Sequence, residues 1–151
     1  MKYEGYFGLA GELASLMVQA WPKWKQPVDL VAPIPLHPDR LRERGYNQAE
    51  LLVRELHQEL DWLIETDALV RTRKTRPQIG LNKDERHENV QSAFKGDKTR
   101  FTGKRILLVD DVCTTGATLA AAADALHSAG AVSISAYCLT TAASDQDISI
   151  A

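Results

Sequence analysis

The 151 residues of this chain, 44% of them hydrophobic, suit one compact domain with a real core. A formal net charge of −2 excludes a global attraction to nucleic acid or to a membrane surface. No apolar run approaches the roughly 20 residues of a membrane span, and the N-terminus lacks the continuous apolar segment of a signal peptide. We therefore expect a cytoplasmic protein.

The first half of the chain predicts two helices separated by a short strand. Apolar residues recur at helical spacing over residues 8–21, and prolines bracket a linker over 22–27. Residues 28–35 (VDLVAPIP) form a short apolar run that is typical of a strand. A polar loop is predicted over 36–48 and an amphipathic helix over about 47–60.

The second half predicts strands on either side of one helix. Residues 68–73 (ALVRTR) and 89–96 (NVQSAFKG) each indicate a short strand. Residues 104–110 (KRILLVD) predict a buried strand, 115–129 an alanine-rich helix, and 131–142 the last strand. This order favours an α/β fold with a mostly parallel sheet of about five strands flanked by helices.

In such sheets, ligands bind at the carboxyl ends of the strands. Three segments leave predicted carboxyl ends, over residues 35–46, 74–89 and 110–118. If the sheet prediction is right, these segments meet at one site.

Basic residues concentrate in the middle of the chain. Fifteen of the 18 Lys and Arg residues lie between Arg40 and Arg105, and none lies beyond Arg105. The pattern fits either a solvated surface or a site for a polyanion. Residues 74–89 lack apolar periodicity, which indicates either a lid that closes over a site or an exposed surface loop. The cations that such a lid would carry to the site include Lys74, Arg76 and Arg86.

The most informative stretch is RILLVDDVCTTGATL, residues 105–119. Its residues Thr114, Thr115, Gly116, Ala117 and Thr118 open the predicted helix. Free N–H groups at a helix start carry partial positive charge, threonine hydroxyls add donors, and glycine lets the backbone approach a ligand closely. This turn suits a phosphate monoester. The simpler alternative is that Thr114 or Thr115 only caps the helix.

Asp110 and Asp111 precede this turn and must face something other than phosphate. Carboxylates accept hydrogen bonds from vicinal sugar hydroxyls and favour Mg²⁺, directly or through its waters. A ribose 5-phosphate satisfies both the acids and the anion loop. The dinucleotide-binding and P-loop glycine motifs are absent. A response-regulator receiver would need a phospho-acceptor aspartate on a later strand and a lysine beyond it, and no Lys or Arg follows Arg105.

ILLVDDVCTTGATL resembles the phosphoribosyl-pyrophosphate (PRPP) signature of type I phosphoribosyltransferases. The resemblance implies that Asp110 and Asp111 bind the ribose 2- and 3-hydroxyls, with Mg²⁺ nearby. It also implies that residues 114–118 bind the 5-phosphate. Cys113 lies within the motif, as a packing residue or as a reactive thiol.

PIPLHPDRLRERGYNQAELL and RPQIGLNKDERHENVQSAF resemble the ComF/GntX-like, competence-associated branch of that family, so the resemblance covers roughly residues 28–140. RGY at 44–46 resembles the pyrophosphate turn of adenine phosphoribosyltransferases. The match implies that Arg44 and Gly45 belong to a pyrophosphate loop, with Arg40 and Arg42 at its rim. His37 is a further candidate for this loop, and Asn47 either packs the following helix or touches ligand.

Two family features are missing from the sequence. Family members often carry an N-terminal cysteine-rich zinc module, and we expect this chain to lack it. Residues 1–27, a helix and linker, are the only candidate for the hood that reads a nucleobase, so the hood is reduced or absent. Residues 28–142 are predicted as the phosphoribosyltransferase-like core and 143–151 as a flexible tail.

Two hypotheses about function follow. In the first, the protein is an enzyme that transfers phosphoribosyl from PRPP to a nitrogen acceptor, with Mg²⁺ as cofactor. Its pyrophosphate-neutralising cations would be Arg44, Lys74, Arg76 and Arg86. In the second, it is a non-catalytic accessory protein that binds PRPP or a nucleotide in DNA uptake or regulation. A competence-machinery protein and a second copy of the chain are the candidate protein partners.

Overall fold

The computed structural model describes residues 4–21, 27–73 and 93–141. In chain order the helices and strands of these residues are α1 (Glu4–Ala20), β1 (Leu30–Pro33), α2 (Pro38–Arg44), α3 (Gln48–Leu60), β2 (Leu69–Arg71), β3 (Phe94–Gly96), α4 (Lys98–Phe101), β4 (Arg105–Cys113), α5 (Ala117–Ser128) and β5 (Ser133–Thr141).

The main sheet is parallel, with strand order β1-β4-β5, which confirms the predicted α/β fold. Leu30 of β1 pairs with Ile106 of β4, and the β4–β5 ladder runs from Arg105↔Ser133 to Cys113↔Thr141. The central strand β4 is buried on both faces from Ile106 to Val109. That burial explains its continuous apolar run, because helices cover both sides of a parallel sheet.

The expectation that about five strands share one sheet needs correction. β2 and β3 pair with each other in antiparallel fashion, Leu69 opposite Gly96, in a separate two-stranded sheet. A parallel pair requires a crossover connection, usually a helix, whereas an antiparallel pair needs only a loop between its strands. A single parallel bridge between Ile64 and Val31 extends the main sheet beyond β1.

Two apolar clusters cover the two faces of the main sheet. Leu107 and Val109 of β4 pack with α1 and α3 in one cluster. Ile106 and Leu108 pack with α5 and the β2–β3 pair in the other. This division follows from the alternation of side chains along a strand. The N-terminal helix α1 is therefore part of the packed structure, with Ala14 and Met17 buried.

A helix, α2, replaces the predicted polar loop after β1. Its signals are in the sequence: His37 caps it by accepting a hydrogen bond from the Asp39 N–H, Pro38 begins it, and Gly45 ends it with φ of 86°. It buries no residue, so it has no apolar periodicity that would reveal it.

β4 also ends later than predicted. Its pairing with β5 continues past Asp110↔Cys138 to Cys113↔Thr141, so both aspartates belong to the strand. The following helix α5 begins at Ala117, two residues after the predicted start at 115. In the described part of the chain, every helix is too short or too polar to cross a bilayer.

Candidate functional site

The candidate site lies at the carboxyl ends of β1 and β4, which are paired neighbours in the sheet. β1 leads into the α2 corner, residues 37–47, and β4 leads into the turn before α5. Parallel strands end at the same edge of a sheet, so these two segments lie close together, as the sequence predicts.

The turn after β4 is open at its centre. Gly116 occupies the N-cap position of α5 with φ of 79°, and no side chain caps the helix there. A Cβ placed on Gly116 would meet no atom within 4 Å. Thr114 and Thr115 are exposed, and the Thr115 hydroxyl accepts only a long hydrogen bond of 3.4 Å from the Ala117 N–H. Helix capping is therefore not enough to explain both threonines.

Each of the two aspartate side chains accepts a hydrogen bond from the backbone N–H of the next residue. Asp110 Oδ1 accepts a hydrogen bond of 2.9 Å from the Asp111 N–H, and Asp111 Oδ1 accepts one of 2.9 Å from the Val112 N–H. Burial, together with a hydrogen bond with the neighbouring Asp111 carboxyl, raises the pKa of Asp110 to about 7. The pair would gain from a ligand that donates hydrogen bonds or carries positive charge.

The fit of a magnesium ion depends on these same carboxylates. Among the described residues no group of three or more His, Cys, Asp or Glu side chains is arranged to hold a metal. Mg²⁺ commonly binds through one or two carboxylates together with substrate phosphates. Asp110 and Asp111 fit that pattern, but the two carboxylates alone do not supply enough ligands to hold Mg²⁺ without a substrate phosphate.

The cations of the α2 corner are engaged with their own neighbours. Arg40 pairs with Glu43 at 3.8 Å, Arg42 pairs with Asp39, and Arg44 donates to the side-chain oxygen of Gln48. His37 Nδ1 caps the helix, accepting from the Asp39 N–H at 3.2 Å. Gly45 donates its N–H to the Leu41 carbonyl at 2.7 Å. Their role toward pyrophosphate stays a prediction.

Asn47 fixes this corner to the sheet. Its side chain is buried, donates to the Ile34 carbonyl at 2.9 Å and accepts from the Ala49 N–H at 3.1 Å. It therefore caps α3 and ties that helix to the carboxyl end of β1. Of the two alternatives for Asn47, packing of the following helix describes these contacts.

Arg71 is a site residue that sequence reasoning missed. It is half-buried at the end of β2, lies 5.3 Å from the centre of the Phe94 ring, and interacts electrostatically with Asp110. Burial lowers the pKa of Arg71 from its usual value. Only the fold brings it to Asp110, which is far away in sequence. The predicted lid cations Lys74, Arg76 and Arg86 lie outside the described residues.

The two cysteines are free thiols that pack against the same apolar cluster. Cys113 is buried, which matches its reading as a packing residue. Burial raises the pKa of the Cys138 thiol to about 12 and so suppresses its reactive thiolate form.

An apolar cavity of about 220 Å³ opens on the α1 and α3 side of the same edge. Leucines of both helices line it, and Asp111 and Val112 form part of its wall. The candidate ribose site is thus continuous with an apolar space that the predicted sites did not include.

Comparison with known proteins identifies the family. Residues 45–149 match the family model of the phosphoribosyl transferase domain, a span that includes β4, the open turn and α5. The chain belongs to the phosphoribosyltransferase domain family. Membership confirms the resemblance inferred from the PRPP signature.

This phosphoribosyltransferase domain is similar in sequence to competence proteins. It is 34% identical to Competence protein F of Haemophilus influenzae, covering 93% of this chain and 65% of the relative. It is 34% identical to Competence protein ComFC of Streptococcus pneumoniae, covering 91% and 59%. DNA utilization protein YhgH of Escherichia coli K12 is 35% identical, covering 74% and 48%. The chain thus spans about half to two thirds of these relatives.

Solved structures agree on the fold of this phosphoribosyltransferase domain. Adenine phosphoribosyltransferase from Thermoanaerobacter pseudethanolicus superposes with a TM-score of 0.56 at 22% identity, covering 86% of this chain and 66% of that one. Glutamine PRPP amidotransferase from B. subtilis gives a TM-score of 0.56 at 18% identity, covering 91% and 26%.

Proposed function

We propose that this phosphoribosyltransferase domain binds PRPP at the carboxyl ends of β1 and β4 and transfers its phosphoribosyl group to a nitrogen acceptor. One observation carries the proposal: two aspartates near the carboxyl end of β4 are followed, two residues later, by an open turn with exposed threonines and a glycine at the helix N-cap. Acids and an anion loop at this spacing suit the two ends of one sugar phosphate.

In the bound state, Asp110 and Asp111 would accept hydrogen bonds from the ribose hydroxyls. The N–H groups and hydroxyls of residues 114–118 would bind the 5-phosphate. The positive charge of Arg71 supports this arrangement, because it lowers the pKa of the partly buried Asp110 carboxyl and so favours its ionised, hydrogen-bond-accepting form. The protein thereby fixes the ribose without covalent chemistry, which lowers the barrier through orientation.

Transfer requires stabilisation of the leaving pyrophosphate. Positive charge develops on the ribose and negative charge on pyrophosphate, so fixed cations near the leaving group accelerate the step. Arg44 at the α2 corner is the described candidate, with Arg40, Arg42, His37 and Gly45 around it. The proposal also includes the predicted lid cations. Bound Mg²⁺ would supply further positive charge to the phosphates.

Pyrophosphate release tests the proposed transfer. The protein is incubated with PRPP, Mg²⁺ and single members of a panel of nucleobases and amines, and pyrophosphate is assayed enzymatically. We expect acceptor-dependent release above the rate of PRPP hydrolysis alone. Release that no acceptor stimulates, in a protein that binds PRPP, would favour the non-catalytic alternative.

The second candidate function is that of a PRPP- or nucleotide-binding accessory protein in DNA uptake. The names of the relatives, which refer to competence and DNA utilization, favour it. In that case PRPP would act as a regulatory ligand, and a competence-machinery protein would be the partner. Copurification of a partner that depends on PRPP would support this function.

A further inference from the structure

The apolar cavity beside Asp111 lies between two helices and the carboxyl ends of two strands. Its described lining consists of Leu9, Ala10 and Leu13 of α1, Gln48, Leu51 and Leu52 of α3, Asp111 and Val112 of β4, and Leu139 and Thr140 of β5. Leu9 and Val112 remain 46% and 47% exposed, so its mouth is itself apolar. Contiguous exposed apolar surface at a cleft indicates a binding site more than isolated leucines do.

The lining contains three polar side chains, Gln48, Asp111 and Thr140, and each makes a hydrogen bond within the protein. The Gln48 side-chain oxygen accepts from Arg44, and the Thr140 hydroxyl donates to the Asp111 carbonyl at 3.4 Å. Asp111 Oδ1 accepts from the Val112 N–H at 2.9 Å. Apart from these three side chains the described lining is apolar, so it offers few donors and acceptors to the polar edge of a nucleobase.

Its size restricts the occupant further. The volume of about 220 Å³ lies below the range of about 300–1,000 Å³ that is usual for drug-sized ligands. A flat molecule of one or two fused rings is the appropriate class. Such a ring would reach the ribose site at Asp111, where the cavity and the candidate PRPP site meet.

We infer that the acceptor is a small, largely apolar nitrogen heterocycle of the benzimidazole type, bound between α1, α3 and the carboxyl end of β4. The inference rests on the proposed phosphoribosyl transfer and specifies its substrate class. A base with several exocyclic polar groups is disfavoured, because most of its donors and acceptors would face leucine, alanine and valine side chains.

The transfer balances with this acceptor. The lone pair of the unprotonated ring nitrogen forms the new bond to ribose C1. The bond between C1 and the pyrophosphate oxygen breaks, and its electron pair leaves with pyrophosphate. The proton of the other ring nitrogen then passes to solvent, which leaves a neutral N-ribosyl ring.

Direct binding tests the cavity independently of PRPP. Benzimidazole is titrated into the protein and followed by two-dimensional NMR, with hypoxanthine and orotate as polar comparison ligands. We expect saturable shifts at the cavity residues with benzimidazole, and affinity at least about tenfold weaker for the polar bases. Absence of benzimidazole binding, or equal or tighter binding of the polar bases, overturns the inference.

A matched pair of α1 variants locates the bound ring. Leu9→Asp introduces a charge at the cavity mouth, whereas Leu16→Asp introduces the same charge at an exposed leucine, 58% accessible, outside the lining. Benzimidazole affinity should fall about tenfold or more in the first variant and stay unchanged in the second. Equal effects in both variants would refute the location.

Pyrophosphate assays then separate this inference from the proposed function. Acceptor-dependent release with benzimidazole, reduced by Leu9→Asp, supports both. PRPP-dependent release with hypoxanthine or orotate but not benzimidazole overturns the acceptor class and leaves the transfer standing. Benzimidazole binding in a protein that does not bind PRPP contradicts the proposed function and the acceptor role together.

Discussion

The two strand ends that form the candidate site differ in how their polar groups are occupied. After β4, Gly116 leaves open space and the threonines of the turn are exposed. After β1, the three arginines of α2 each bind a side chain on their own helix or the next one. One end is therefore preorganised for an anion, whereas the other must exchange existing contacts for new ones. We expect the β4 end to dominate PRPP affinity.

Loss of both aspartates should have the largest effect. Asp110→Asn combined with Asp111→Asn should weaken PRPP binding at least about 100-fold, since each carboxylate is expected to accept charge-assisted hydrogen bonds from the ribose. Calorimetry measures the affinity, and circular dichroism checks the fold. Asp124→Asn removes an exposed carboxylate of α5 and is the matched control. Unchanged affinity in the double variant would refute the ribose assignment.

The glycine of the open turn should have the next largest effect. Gly116 and Gly103 have φ of 79° and 73°, and a Cβ meets no atom within 4 Å at either one. Valine at either position should therefore cost a similar backbone strain, about 1–2 kcal/mol or more. Only Gly116→Val should also lower PRPP affinity, by about tenfold to thirtyfold.

This pair separates anion binding from stability. Thermal unfolding should show comparable destabilisation in Gly116→Val and Gly103→Val, while calorimetry should separate them. An equal loss of affinity in the two variants would mean that the turn acts only through the fold.

A smaller effect is expected at the α2 corner. Arg44→Ala should weaken PRPP binding about fivefold, because Arg44 must leave Gln48 before it can contact pyrophosphate. Ribose 5-phosphate, which lacks pyrophosphate, should bind the variant and the wild type equally. Arg54→Ala, which removes a cation paired with Glu50 on α3, is the control. Equal losses for both ligands would contradict the pyrophosphate role.

The smallest expected effect concerns stability and pH. Burial raises the pKa of Asp110 to about 7, against about 3.9 in an unfolded chain. The Asp110 carboxyl therefore binds its proton more tightly in the folded than in the unfolded state. As pH rises from about 4 to about 7, its contribution lowers the free energy of unfolding. Asp110→Asn should raise the Tm at pH 8 by about 2–5 °C, and this gain should shrink toward pH 4.

Thermal unfolding of wild type and Asp110→Asn across that pH range checks the prediction, with Asp124→Asn as the control. A difference in Tm that does not change with pH would show that the Asp110 carboxyl is not held protonated by its surroundings. Higher stability combined with lost PRPP binding would show that the site trades stability for function.

The same two regions show what the sequence could predict. The strand, turn and helix of residues 105–128 were recognisable because their signals are local: an apolar run, a glycine and an alanine-rich period. The helix α2 was not predicted because it buries no residue and so has no apolar periodicity, although its capping residues are present in the sequence. In a polar segment after a strand, capping residues are therefore as informative about a helix as apolar periodicity is.

Contacts between distant segments could not be predicted. The charge of Arg71 acts on Asp110 only because β2 pairs with β3 and packs with α5 in one cluster, and strand partners depend on the whole fold. The apolar cavity likewise combines two helices and two strands, so no single segment of sequence indicates it. The acidic pair and the threonine-glycine turn indicated a ribose 5-phosphate, and the family resemblance implied which residues bind its hydroxyls and its phosphate, whereas the lining of the cavity required the structure.

Calorimetric titration of the wild-type protein with PRPP and Mg²⁺ tests the central claim most directly. We predict saturable binding of one PRPP per chain, which ribose 5-phosphate competes with and which the double aspartate variant loses. Absence of heat and of thermal stabilisation at millimolar PRPP would contradict a ribose phosphate site at the carboxyl end of β4.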